Sequence, residues 1–160
     1  MTGELYEINS GDEPKIVRHP DKIETGGIAT CMGVGILNHR TRRGYLGHYV
    51  NWDTSSETLV DKAVSEATNI GDLEVVLAGN IPQSREDVAS YNGNFEEVLE
   101  SYRSHGRWTL QMVRSKGIKR IQNYLRDDPS EDSYEMIVDT EEKRIEVRKE
   151  EFDRKEEFDF

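Results

Sequence analysis

Small and apolar residues alternate through "CMGVGILN" (31–38) and again through "YLGHYVNW" (45–52), with the polar "HRTRRG" between them. Period-two alternation closed by a polar turn predicts two strands joined as a hairpin. "TSSETLVDKAVSEATNIG" has a helical period: Leu59, Val60, Ala63, Val64 and Ala67 form one apolar stripe, Thr54 and Glu57 have capping-box spacing, and Gly71 is a natural stop. "LEVVLAGN" reads as a buried strand ending at a glycine turn. Phe95, Val98, Leu99 and Tyr102, then Trp108, Leu110, Met112 and Val113, predict two helices or one broken near Gly106, their aromatic and methionine positions facing the core. "IKRIQNYL" and the pair "YEMIVD" and "RIEVRK" around "TEEK" read as closing strands. The order, roughly β, ββ, α, β, αα, βββ, predicts an α/β (α+β) fold with mixed sheets covered by helices, and lacks the regular βαβ alternation of a doubly wound sheet.

At 160 residues the chain can bury one sizeable core. We expect a single domain over residues 1–149, followed by a charged tail, "EEFDRKEEFDF" at 150–160, in which Phe152, Phe158 and Phe160 interrupt the charge. No apolar run approaches the roughly 18 residues that cross a bilayer, and the N-terminus lacks a basic head and apolar segment, so the expectation is a soluble, cytoplasmic protein without membrane insertion. The net charge of −11 disfavours nucleic acid and anionic membranes as partners. A protein or small-molecule partner remains. The basic cluster His39–Gly44 has no glycine-rich helix start behind it and reads as a solvated turn.

The single cysteine, Cys31, can form no internal disulfide and supplies no thiolate pair for structural zinc. It is either a buried, inert thiol or a reactive one. A thiol is a weak nucleophile at neutral pH and needs a base or cation beside it. Of the four histidines, at 19, 39, 48 and 105, His48 lies 17 residues on, across the predicted hairpin, where it becomes a cross-strand neighbour of Cys31. His39 falls in the turn at the far end. Upstream, "TGGIAT" places Gly26 and Gly27 before the thiol, where backbone N–H groups can face an oxyanion, and Thr25 can orient the histidine as a third group. The plainer alternative for Thr25 is a turn residue ahead of glycines.

Thr25, "GGIAT", Cys31 and then His48 resemble the core of the CheD family of chemoreceptor glutamine deamidases, which read threonine, five mostly small residues, cysteine, a short apolar strand, a glycine-containing turn and histidine. The resemblance spans residues 23–50 and extends weakly to Gly79. It implies a four-layer α/β/β/α sandwich shared with the catalytic domain of the cytotoxic necrotizing factor toxins. It also implies Cys31 as nucleophile, His48 as base and acid, Thr25 as the orienting residue, Gly26, Gly27 and Thr30 around the substrate and oxyanion, a protein glutamine as substrate, a chemoreceptor or related signalling protein as partner, and a phosphatase of the CheC kind as a second partner. That chemistry calls for no cofactor and no metal. After His48 the chain reads "YVNWD", and "LAGN" stands where the family has Gly-Gly-Ala; the family's late Asp-x-Gly-Gly is missing from "NYLRDDPSEDSY". Two alternatives stay open: a noncatalytic module of this fold that regulates a signalling protein, and a metal site formed by Cys31 and His48 with His39 or an aspartate.

Overall fold

The structure, a computed structural model, describes residues 2–150. The expected tail, with Phe152, Phe158 and Phe160, lies outside the described residues except for Glu150, which is the last residue of a strand. In chain order the elements are β1 (Leu5–Glu7), β2 (Lys15–Arg18), β3 (Lys22–Ile28), β4 (Met32–Asn38), β5 (Arg43–Tyr49), α1 (Ser56–Glu66), β6 (Leu73–Gly79), α2 (Arg85–Ser90), α3 (Phe95–Ser115), β7 (Arg120–Leu125), β8 (Ser133–Asp139) and β9 (Arg144–Glu150). They build two mixed sheets: a four-stranded one in the order β1-β3-β8-β9 and a five-stranded one in the order β2-β5-β4-β6-β7.

The hairpin β4–β5 lies at the middle of the larger sheet, and β4 is buried along its whole length. Strands covered on both faces are apolar or small at nearly every position, and "MGVGILN" is, save the final Asn38, whose Oδ1 accepts from the Arg40 and Thr41 N–H groups. Alternate side chains therefore serve two cores. Val34 and Ile36 join Tyr45, Val75 and Leu77 on the face covered by Leu59, Val60 and Ala63 of α1 and Met112 and Val113 of α3. Leu37, Leu46, Val76 and Ala78 face the other way, against Ile23, Ile28, Met136 and Val138 of the smaller sheet. His48, two residues after Leu46 on β5, and Thr25, two after Ile23 on β3, have the parity of this second core. The buried space between the sheets is thus where the candidate site is anchored.

The sandwich is of the expected mixed α/β kind, with helices on one face of the larger sheet. The outer face of the four-stranded sheet is largely charged: Glu24 and Glu146 flank Ile137 in one cross-strand row, and Arg148 pairs with Glu135 at 3.5 Å and with Glu146. Opposite charges paired across strands stabilise such a solvated face. Among the described residues no helix covers that face, so the layers seen are α/β/β.

Three local expectations are corrected. α3 runs unbroken for 21 residues through Gly106. A helical glycine costs about 1 kcal/mol relative to alanine, but here a Cβ would stand 3.0 Å from Asn80 Nδ2, which donates to Tyr102 O at 2.8 Å. The glycine admits that contact, and the apolar stripe continues on both sides. The capping box of α1 does not form: the N-cap is Ser55, without a side-chain cap bond, and Asp53 Oδ1 accepts from the Ser55 N–H at 2.8 Å. Where one strand was expected ahead of the hairpin there are three, β1, β2 and β3, and helix α2 was not expected; β1, β2 and α2 are only three, four and six residues long.

Candidate active site

The site begins with a bulge. β3 pairs with β8 as far as Thr25, and the register shifts before Ile28, so Gly26 and Gly27 together oppose Glu135 and the strand gains one residue, with Gly27 at φ +65°. Bulges re-aim the side chains beside them. Thr25, 2% exposed, reaches from the smaller sheet to His48, also 2% exposed, on the larger: Thr25 Oγ1 and His48 Nδ1 are 2.7 Å apart. This contact joins the two sheets through residues 23 positions apart in the chain. It holds the imidazole in one orientation, as the third member of a nucleophile, base and orienter set does.

The other ring nitrogen, His48 Nε2, is buried and has no hydrogen-bond partner. An orphaned buried polar atom costs about 1–3 kcal/mol, and such exceptions call for an explanation in function or strain. Burial pushes the His48 pKa below the ordinary histidine value, and the negative charge of Asp12 partly opposes that shift. The imidazole is therefore biased toward its neutral form. In the tautomer that donates Nδ1–H to Thr25 Oγ1, the Nε2 lone pair is left available.

Cys31 lies one residue before β4. His48 pairs with Gly33 and Met32 with Tyr49, so one further step sets Cys31 beside Val50. Cys31 and His48 are accordingly diagonal neighbours rather than directly opposed, a relation that puts Cα atoms about 7–8 Å apart. The thiol is half-buried, and its hydrogen-bond contact is with Ser10, Sγ to Oγ 3.4 Å. Sγ and His48 Nε2 are not hydrogen-bonded in this structure. The backbone at Cys31 is fixed from below: Asn80 N–H donates to Cys31 O at 2.7 Å, just after Gly79 turns at φ +94°.

Neighbours that the sequence pattern did not point to complete the surroundings. The loop after β1 brings Ser10 to the thiol, and its Gly11 N–H donates to His48 O at 3.1 Å. Tyr102, from α3, stands near Cys31 and Thr30; its phenol pKa is pushed up to about 12, chiefly by burial and then by Tyr91. Asn51 Nδ2 donates to Tyr102 Oη at 3.2 Å, while Asn51 Oδ1 is a second orphaned buried atom. Ser10 and Tyr102 stand 21 and 71 residues from Cys31 in the chain, and only the "NSGD" turn composition hinted at a loop near the former.

The remaining predicted residues fall as follows. Gly26 and Gly27 are exposed at the bulge, and the Gly27 N–H donates to Glu150 Oε1 at 2.9 Å, so that donor is engaged. Thr30 lies beside Tyr102. His39 is at the far end of the hairpin, its Nε2 2.9 Å from Glu74 Oε1. Among the described residues no group of three or more His, Cys, Asp or Glu side chains is arranged to hold a metal ion, and no helix is long and apolar enough to cross a membrane.

No protein-family model matches the chain, and no curated protein matches it in sequence. Among solved structures, the crystal structure of Bacillus licheniformis hypothetical protein YfiH is similar at 13% identity and a TM-score of 0.47, covering 76% of this chain and 59% of that one. The chain thus spans less than two thirds of that protein's length, and a likeness at this level assigns no function.

Proposed function

We propose that the protein is a cysteine-dependent amidohydrolase of the CheD type, which converts a glutamine side chain in a protein to glutamate. The observation that carries this reading is the buried Thr25–His48 hydrogen bond together with the orphaned Nε2 of the same ring, on the hairpin that begins at Cys31. A core needs neither, since two apolar side chains would fill the space without an unpaired polar atom.

In the proposed reaction His48 Nε2 takes the Cys31 proton, and the thiolate sulfur forms a bond to the amide carbon as the carbonyl π pair moves to oxygen. The protonated imidazole then gives its proton to the amide nitrogen. The C–N bond breaks, ammonia leaves, and a thioester to Cys31 remains. Neutral His48 next removes a proton from water, whose oxygen attacks the thioester carbon; the C–S bond breaks, and sulfur recovers the proton from the imidazolium. Thr25 keeps Nδ1–H directed at its hydroxyl throughout. The Thr30 region, beside Tyr102, is the candidate for the oxyanion. Gly27 can join only if the Glu150 carboxylate is displaced.

Catalytic hydrogen bonds in unliganded sites are often open and tighten only with substrate, which is how the Cys31–His48 pair has to act here. One observation favours the rival reading of a noncatalytic interaction module: the thiol is bonded to Ser10 and not to the imidazole. The two readings separate on incubation with glutamine-containing proteins, chemoreceptor fragments first, followed by mass spectrometry for amide-to-acid conversion. Conversion that Cys31→Ala abolishes without unfolding the protein supports the enzyme. Conversion that persists in Cys31→Ala removes Cys31 as nucleophile.

A further inference from the structure

The chain has two tryptophans, and both border one groove. Trp52 is 47% exposed and Trp108 38% exposed. Large aromatic surface left in water at two places around one concavity is a binding feature more than a packing one. The groove is shallow and widely open to solvent, about 680 Å³ in volume, and is lined along α3 by Glu96, Glu97, Glu100 and His105 as well as the two indoles.

Its charge is unbalanced. Glu100 pairs with Arg107, and Glu96 meets Arg85 only at 3.5 Å between side chains that are about three-quarters exposed, a contact of little energy. The Glu97 carboxylate has no ion-pair partner among the described residues. An independent feature points to a ligand: His105 is 8% exposed, lines the groove, stacks on Trp108 at 6.2 Å between centroids, and makes no hydrogen bond through its ring. Trp52 is held at φ +61°, a strained backbone for a bulky residue.

One wall of the groove backs onto the surroundings of Cys31. The Trp52 ring lies 5.3 Å from the ring of Tyr102, whose hydroxyl accepts from Asn51 Nδ2 and stands near Thr30. We infer that this groove binds a lysine- or arginine-bearing segment of the protein substrate, with the cation between the indole faces and the Glu96 and Glu97 carboxylates. The inference rests on the amidohydrolase reading, since it places the segment beside the glutamine presented to Cys31. Indole faces and carboxylates both attract cations. An acidic helix, by contrast, would meet repulsion here and across a surface of net charge −11.

The test uses the Cys31→Ala protein and peptides with one glutamine flanked by arginine, by neutral citrulline or by glutamate. Because Trp52 and Trp108 are the only tryptophans, intrinsic fluorescence reports the groove directly. Titration with the arginine peptide should change the emission and give a Kd roughly tenfold or more below that of the citrulline peptide. Glu97→Gln should weaken that peptide several-fold, and added salt should do the same. Equal affinity for all three peptides, or no emission change on binding, overturns the inference. Turnover by the unmodified protein is measured in parallel. Selective binding without deamidation upholds the groove and rejects the amidohydrolase, whereas deamidation with no preference for the arginine peptide rejects the groove alone.

Discussion

Replacing Thr25 with valine removes one hydroxyl from a site that is 2% exposed, without changing the shape of the side chain. His48 Nε2 is already without a partner, so the variant leaves Nδ1 unpaired as well and the whole imidazole becomes a buried polar group with no hydrogen bond. The expected penalty is about 1–3 kcal/mol, offset by about 0.8 kcal/mol for the extra buried methyl, which leaves a net loss of about 0.2–2.2 kcal/mol. In a domain of this size each kcal/mol moves Tm by roughly 2–4 °C, so the transition should fall by up to about 9 °C. Thr25→Ser keeps the hydrogen bond and loses a methyl group, which limits its loss to about 1 kcal/mol. Urea unfolding of the three proteins measures the difference, and the imidazole nitrogen resonances report the tautomer: Nδ1–H in the wild-type protein and in Thr25→Ser, a mixture in Thr25→Val. A Thr25→Val protein as stable as the wild type, with unchanged imidazole resonances, would refute the hydrogen bond as the element that orients His48.

Gly79→Ala should destabilise the fold by more than about 1 kcal/mol, because Gly79 has φ +94° and a Cβ there would lie 2.5 Å from Cys31 O; urea unfolding and thiol titration should show both the loss and a displaced cysteine, and an unperturbed variant would contradict the backbone described under Cys31. The pH dependence follows from His48 and His105, both of which burial holds below the ordinary histidine pKa. The unfolded chain then binds more protons below about pH 6.5, so stability should be full above that pH and fall as pH drops through it. In His48→Gln the decline between about pH 7 and 5 should be shallower, and parallel declines in the two proteins would count against a neutral buried His48.

The β4–β5 hairpin was legible because both strands alternate and a polar turn divides them, and from the hairpin came the proximity of Cys31 and His48. The turn proved shorter than its composition suggests, since β5 begins at Arg43. That shift sets Cys31 opposite Val50 and so brings His48 to the diagonal position, whereas a turn over 39–44 would have set Cys31 opposite Trp52. Thr25 entered through the double glycine and the family resemblance, not through periodicity: "KIETGGI" does not read as a strand, because its bulge and its glycines erase the alternation. β1 and β2 are too short to show a period, and they lie in different sheets. Ser10, Asn51 and Tyr102 were out of reach for another reason, since each arrives at the site through tertiary packing of a separate element. Glu150 read as the start of a tail because β9 lies on a solvated face, where strand and tail have the same charged composition.

The central claim, that the thiol of Cys31 is activated by the imidazole of His48, is tested most directly without knowing the substrate, by the rate of Cys31 alkylation as a function of pH in the wild type, His48→Ala and His39→Ala. A thiol with no base beside it is only a few per cent ionised at neutral pH. The account predicts rapid alkylation near neutrality in the wild type and in His39→Ala, and a rate lower by about an order of magnitude in His48→Ala, where ionisation of an unassisted thiol sets the profile. Superimposable profiles in all three proteins would contradict it and leave Cys31 an ordinary half-buried thiol.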